Sequence, residues 1–294
     1  MIGPTRVDAT MSRRRNARAA DGPDSMAWQL HREMALLAGW GRAILLQLAH
    51  PLVAQGVDAH SGFCVEPRGR SRRLARTLGA MLALTFGTPD EVAAAARRIN
   101  GVHDRVHGAL STKEGAFPAG LHYSAHDPAL LAWVQATLVD SLLLTYELFV
   151  APLGGEERDR YCAESCRIEP LLGIPSGSLP RSAGELRAYM GDMLASGDIE
   201  VTDTARRLAQ EILYPPTLLI GAPLLALARL PTIGLLPLAI RRGYRLSWGS
   251  GHERTLLALA ALSRHLLPLL PSALRHWPAA RRALARARRL ERLP

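Results

Sequence analysis

Cysteine, lysine and aromatic residues are all scarce in this sequence. There are three cysteines, 5% aromatic residues and a single lysine, Lys113. An odd number of cysteines does not suit a disulfide framework. Cys162 and Cys166 are four residues apart on a predicted helix, so we expect them to be small side chains buried on one face. Runs of β-branched residues are also scarce, whereas alanine, leucine and arginine are abundant and favour helices. The composition therefore predicts an all-α protein with a single globular domain.

Several motifs that would identify an enzyme class are missing from the sequence. HExxH, GxSxG, the phosphate-binding P-loop and a GxGxxG turn are all absent. The Glu-x-x-His pairs of di-iron helical bundles are absent as well. These absences argue against zinc peptidases, α/β-hydrolases, P-loop NTPases, dinucleotide-dependent enzymes and ferritin-like oxidases.

The charge balance is strongly basic, with 36 Lys and Arg against 26 Asp and Glu and a formal net charge of +10. Such a balance suits a nucleic acid, an anionic membrane surface or an anionic cofactor. No motif that reads DNA or RNA is present, so we predict no nucleic-acid partner. A bias toward GC-rich codons would explain part of the arginine excess.

Both ends of the sequence are rich in arginine. Residues 1–24 predict a disordered basic arm before a helical domain over residues 25–294. No apolar segment follows the arginines of this arm, so we expect no secretory signal and a cytoplasmic location. The tail from Pro278 carries six arginines and predicts a solvated basic helix that could contact an anionic lipid surface.

Apolar spacing and capping residues predict a series of helices separated by short loops. Thr88 with Glu91 forms a capping box, and Asp127-Pro128 and Ser182 also mark helix starts. Turns or loops are predicted over 51–69, 109–122 and 170–180. The predicted helices cover residues 26–50, 70–86, 89–108, 128–149, 156–169, 183–195, 204–213 and 253–267.

One uncharged stretch covers residues 212–228. Its length is near the lower limit for a transmembrane helix, and Pro215, Pro216 and Pro223 interrupt it. We therefore favour a buried or membrane-surface helical hairpin over residues 212–240 instead of a membrane span.

Histidines are the strongest candidates for chemistry. His103 and His107 lie four residues apart near one helix face, and His103 falls in an apolar series with Ile99 and Val106. A buried imidazole needs a partner, and a metal or haem iron is one such partner. His50 and His60, which flank a loop, are second candidates. The arginines near His103 form either a solvated face or a binding site for carboxylates; they are Arg72, Arg73, Arg76, Arg97, Arg98 and Arg105.

An ordered set of short segments resembles the MpaB and latex-clearing (rubber) oxygenase family. The similarity spans about residues 26–285 and depends on the order of the segments more than on any one of them. The segments are RAILLQLAHP (42–51), GVDAHS (56–61), RLART (73–77), FG (86–87), HDRVHG (103–108), YSAHDP (123–128), LP (179–180) and LP (236–237).

This resemblance implies a globin-like core around haem b. By position, His103 matches the proximal iron ligand of the family, while Arg73 and Thr77 match its pocket arginine and threonine. Arg76 stands where latex-clearing members have a lysine, and arginine is a poor iron ligand because it stays protonated. His107 is an alternative axial ligand.

The activity implied by the resemblance is O₂-dependent attack on a carbon–carbon double bond of a lipophilic, unsaturated or isoprenoid-like substrate. The secreted members carry a signal that we do not expect here, which argues against extracellular polyisoprene. Two other interpretations remain open. One is a non-catalytic haem- or lipid-binding protein at the membrane surface, and the other is a cofactor-free interaction protein. The oligomeric state is not predicted.

Overall fold

A computed structural model describes residues 22–60, 67–214 and 222–291, without the side chains of residues 67–74, 222–226 and 228. Nearly all of the predicted N-terminal arm lies outside these ranges. The described residues form one predominantly helical domain, so the all-α prediction is confirmed.

Helices form almost all of the regular structure. The one hairpin consists of β1 (His107–Ala109) and β2 (His122–Ser124), which pair antiparallel. The helices are α1 (Met26–His31), α2 (Leu37–Leu48), α3 (Pro51–His60), α4 (Pro67–Phe86), α5 (Pro89–His103), α6 (Pro128–Phe149), α7 (Gly155–Ser165), α8 (Ile168–Leu172), α9 (Ala183–Ala195), α10 (Asp203–Leu213), α11 (Ala222–Gly234), α12 (Leu238–Gly243), α13 (Ser250–Leu266), α14 (Ser272–Arg275) and α15 (Pro278–Glu291).

Local sequence signals set the start of several helices, as predicted. The Thr88 side chain accepts from the backbone N–H of Glu91, and the Glu91 side chain accepts from the N–H of Thr88. Asp127 caps α6 and Ser182 caps α9 in the same manner. Each cap satisfies backbone donors that have no partner inside the helix.

The continuous helix predicted over residues 26–50 is wrong. The chain leaves α1 after His31, and Glu33 has an extended backbone with φ −76° and ψ 119°. Glu33 pairs as an isolated bridge with His276, and the N–H of Trp277 donates to the carbonyl of Arg32. A tertiary contact with the C-terminal segment therefore overrides the local preference for helix.

The turn-rich stretch predicted over residues 51–69 is also wrong. Pro51 and Pro67 each begin a helix, at the position where a missing N–H costs least. Residues 61–66 lie outside the described part of the chain. Two further predicted boundaries move: α5 ends at His103 before the hairpin, and the helix predicted over 156–169 divides at Cys166 into α7 and α8.

The centre of the fold is α6, which packs closely against α2. A Cβ atom on Gly39 would lie 2.1 Å from Thr145 Oγ1, so this close approach requires glycine. Asp140, on α6, forms a 2.7 Å ion pair with the buried Arg42 of α2.

Among the described residues, α6 alone is long and apolar enough to cross a membrane, and the bent pair of α2 and α3 passes the same test when taken together. Since 67% of the apolar window of α6 is buried in the fold, core packing accounts for its hydropathy.

The predicted hairpin over residues 212–240 lies partly outside the described residues. Its described part, α11, packs against α2 and α13 and buries Leu230 and Ile233. The predicted basic helix is present as α15. It is not solvated all round, because Ala280 and Ala283 are buried in a cluster with Trp28 and Phe86.

The half-buried His31 is expected to make stability depend on pH. Its ring nitrogens are each hydrogen-bonded at 2.8 Å, to Thr85 Oγ1 and Tyr161 Oη, and burial lowers the pKa of His31 from 6.5 to about 4. Between these two values the unfolded chain binds a proton that the folded chain does not. The free energy of unfolding should therefore fall by on the order of 3 kcal/mol through this group as the pH drops from 6.5 to 4. Urea denaturation across this range should show a smaller loss for His31→Gln than for wild type. Parallel pH profiles would contradict the prediction.

Candidate functional site

The frame of the candidate site is the pair of helices α4 and α5. They pack against each other and are joined by only two residues, Gly87 and Thr88. Because both helices rise by about 1.5 Å per residue, positions equally far from this connection lie at similar heights. The backbone of Arg73 thus lies within about one turn of the height of His103. Thr77 lies about one turn nearer the connection.

His103 ends α5 with a half-buried side chain. Its Nδ1 atom is buried and has no hydrogen-bond partner among the described residues. Burial lowers the pKa of His103, the nearby His126 lowers it further, and Asp104 raises it. The ring is therefore neutral at neutral pH, and a neutral imidazole has a lone pair available for a metal. An unpartnered buried nitrogen is costly unless a ligand satisfies it.

Sequence reasoning missed two residues beside His103. The His126 ring lies edge-on to the His103 ring, with 5.7 Å between the ring centroids. Nε2 of His126 is 2.8 Å from Oδ1 of Asp104, which fixes the orientation of His126. The sequence signal for these two residues was the pair of His-Asp dipeptides, His103-Asp104 and His126-Asp127. The two dipeptides come close together only when the hairpin forms.

His107 and His60 lie at the hairpin that follows His103. His107 is exposed at the start of β1. His60, exposed at the end of α3, has Nε2 3.3 Å from the Oη atom of the buried Tyr123. Burial raises the pKa of Tyr123, so its hydroxyl stays protonated. The chain just after His103 also contacts α3, since a Cβ on Gly56 would lie 3.2 Å from Val106.

The predicted arginines and threonine whose side chains are described are all exposed. Arg76 and Thr77 on α4 are exposed, as are Arg97, Arg98 and Arg105 on or after α5. Arg72 and Arg73 lie on α4, and their side chains are outside the description. The exposed arginines make the surface of the α4–α5 pair basic, which suits an anionic group.

The other candidates have structural partners. His50 is buried, accepts from the N–H of Leu52 at Nδ1 and stacks on Phe117 with centroids 5.3 Å apart. Cys162 and Cys166 are buried free thiols, as predicted, and burial raises the pKa of Cys162 to about 12. The thiol of Cys166 donates to the backbone carbonyls of Cys162 and Pro180.

A metal at His103 would need ligands from beyond the amino acids. In the described ranges, no group of three or more His, Cys, Asp or Glu side chains could hold a metal ion. His103 is instead a single histidine on a helix pair with a basic surface. A single imidazole is one of the ligand sets by which proteins hold haem iron, and the porphyrin nitrogens then complete the coordination.

Comparison with known proteins gives one match. Residues 28–265 match the family model described as "ER-bound oxygenase mpaB/B'/Rubber oxygenase, catalytic domain". No curated protein and no solved structure matches the chain significantly. The matched range covers α2 to α12 and most of α1 and α13, including the whole of the candidate site. The chain therefore belongs to the family of mpaB and rubber oxygenase catalytic domains.

Proposed function

We propose that this protein is a haem-b-dependent oxygenase that acts on a lipophilic substrate containing a carbon–carbon double bond. Membership of an oxygenase family supports an oxygenase-type activity. The observation that carries the haem assignment is the neutral, half-buried imidazole of His103, whose Nδ1 has no partner among the described residues. The same histidine matches the family's iron ligand by position.

The residues of this chain would hold the haem from several sides of a globin-like core. His103 would be the axial ligand, with His107 as the alternative. Arg73, on α4 at the height of His103, would bind a haem propionate through paired hydrogen bonds. Thr77 would offer a hydroxyl to the pocket one turn further along α4. Arg76 would contribute positive charge without ligating the metal, because its guanidinium stays protonated.

Groups around His103 would hold the site in place. Asp104 fixes His126, and the ring of His126 packs on the edge of His103 and restricts its rotation. One hydrogen bond between His60 and Tyr123 joins the end of α3 to the hairpin. When bound, haem b would supply O₂ activation and oxidative attack on the double bond of the substrate.

The proposed partners are O₂ and a lipophilic small molecule that could be collected from a membrane. We place the protein in the cytoplasm with peripheral membrane contact. The main alternative is a haem- or lipid-binding protein on the same fold without catalysis. Consumption of O₂ by the haem-loaded protein with an unsaturated lipid, absent without the lipid, would favour the oxygenase.

The optical spectrum of the wild-type protein, expressed with haem supplied, tests the proposal directly. We expect a Soret band that co-elutes with the protein at about one haem per chain, as one axial histidine requires. The His103→Ala variant, expressed and purified identically, serves as the control for non-specific haem uptake. A protein without bound haem under these conditions would refute the oxygenase proposal and favour the cofactor-free interpretation.

A further inference from the structure

Five leucines between residues 262 and 274 are exposed on the surface. The exposed fractions are 78% for Leu269, 63% for Leu274 and 54% for Leu262. Isolated exposed leucines are ordinary, but a contiguous apolar group usually marks an interaction surface. We call this group the leucine ridge: Leu262, Leu266, Leu269, Leu270 and Leu274.

The leucine ridge is rigidly attached to the body of the protein. α13 buries Leu256 and Ala260 on its other side, and the hydroxyl of Ser263 donates to the carbonyl of Phe149 at 2.8 Å. Directly after the ridge, Arg275 donates to the buried carboxylate of Glu33 at 2.7 Å. Since the segment is anchored at both ends, the exposure of its leucines is not the fraying of a chain end.

The chemistry around the leucine ridge is basic. Residues 250–291 contain eight arginines and only two glutamates, Glu253 and Glu291. The helix α15 begins four residues after Leu274 and buries Ala280 and Ala283. Its opposite face carries four exposed arginines, which are Arg281, Arg282, Arg288 and Arg289. Exposed leucines followed along the chain by an arginine-bearing helix combine the apolar and cationic groups that bind an anionic bilayer surface.

Charge argues against a second copy of this chain as the occupant. In a two-fold symmetric dimer the same patch meets itself, so a dimer through the leucine ridge would bring two arginine clusters together. Such like-charge contacts disfavour association. Within residues 250–291, only Glu253 and Glu291 carry the negative charge that could offset this repulsion.

We propose that the leucine ridge and the arginine face of α15 dock this protein on an anionic lipid bilayer. Leu269 and Leu274, the most exposed of the five leucines, insert below the headgroups, and the arginines of α15 bind lipid phosphates. This surface deepens the membrane contact proposed above and places it on α13 to α15, outside the uncharged stretch of residues 212–228. It can fail while the haem proposal stands, because vesicle binding requires no cofactor.

Vesicle co-sedimentation of the full chain tests this surface. We expect wild type to bind vesicles of phosphatidylcholine with phosphatidylglycerol, to bind them less as salt is raised, and to bind pure phosphatidylcholine poorly. The double variant Leu269→Asn/Leu274→Asn should bind about tenfold more weakly, since it removes much of the inserted apolar area. Arg281→Gln/Arg288→Gln/Arg289→Gln should weaken binding on the order of 100-fold, at about 1 kcal/mol per arginine.

Two controls separate this surface from the rest of the chain. Leu257→Asn removes a leucine that is 52% exposed. Leu257 lies two and a half turns from Leu266 along α13 and therefore on the opposite side of the helix, so binding should stay at the wild-type level. Arg13→Gln/Arg14→Gln/Arg15→Gln tests the N-terminal arginines and should reduce binding less than the α15 variant. The proposal is overturned if the ridge variants bind like wild type, or if only the N-terminal variant loses binding. A wild-type dimer that Leu269→Asn/Leu274→Asn dissociates would also overturn it, because the ridge would then be a contact between copies.

Discussion

His103→Ala is expected to abolish the Soret band that wild type shows after loading with haem. The variant removes the one neutral imidazole whose buried Nδ1 lacks a partner among the described residues. Loss of a residue that only hydrogen-bonds to a metal ligand lowers the metal affinity by roughly 10–100-fold. Loss of the ligand itself should therefore lower the haem affinity by more than ~100-fold. A haem titration followed by absorbance measures this directly.

Matched variants distinguish ligand loss from misfolding. His107→Ala and His60→Ala should keep the Soret band, because both side chains are exposed. His103→Gly should regain a wild-type-like spectrum when imidazole is added, since the free base can occupy the vacated position. Retention of the wild-type spectrum by His103→Ala, with its loss in His107→Ala, would transfer the axial role to His107.

Glu33→Ala is expected to lower the free energy of unfolding by about 3–5 kcal/mol, the usual cost of removing one partner from a buried ion pair. Glu33 is fully buried and accepts from Arg275 at 2.7 Å, with His276 Nε2 at 3.2 Å. Without the carboxylate, Arg275 becomes a largely buried charge without its counter-ion. The C-terminal segment should then detach first, which hydrogen exchange of residues 276–291 would detect.

Asp58→Ala is the matched control for this prediction. Arg207 binds the Asp58 carboxylate through two hydrogen bonds of 2.8 and 2.9 Å, but the Arg207 side chain is 48% exposed. Water and salt screen such a pair, so its loss should cost at most about 1 kcal/mol. Urea denaturation of both variants gives the comparison. Equal losses for the two would mean that burial adds nothing to the Glu33 cluster.

Signals that act over a few residues were readable from the sequence. The capping box of Thr88 and Glu91 and the start of α6 at Asp127-Pro128 were predicted correctly, because the donors and acceptors involved lie within three residues. Prolines misled the prediction between α2 and α4. Pro51 and Pro67 can end one element or begin the next, and sequence alone does not distinguish these roles.

The candidate site was only partly readable. The apolar series placed His103 on the inner side of α5, and the structure agrees: Ala96 is buried and Ile99 and Val106 are half-buried. The neighbour His126 was missed because the hairpin alone brings it to His103. The leucine ridge was missed as well, since a leucine in a helix pattern is expected to be buried.

By itself, the sequence determined the helical class, several helix starts, the family and the histidine that is the best candidate for a cofactor. These properties depend on composition, on contacts between near neighbours and on the order of short segments. Tertiary structure alone decided the break at Glu33, whose partner Arg275 is 242 residues away, and the exposure of the leucine ridge. Both depend on which surfaces meet when the C-terminal segment packs against α1, and periodicity along the chain does not carry that information.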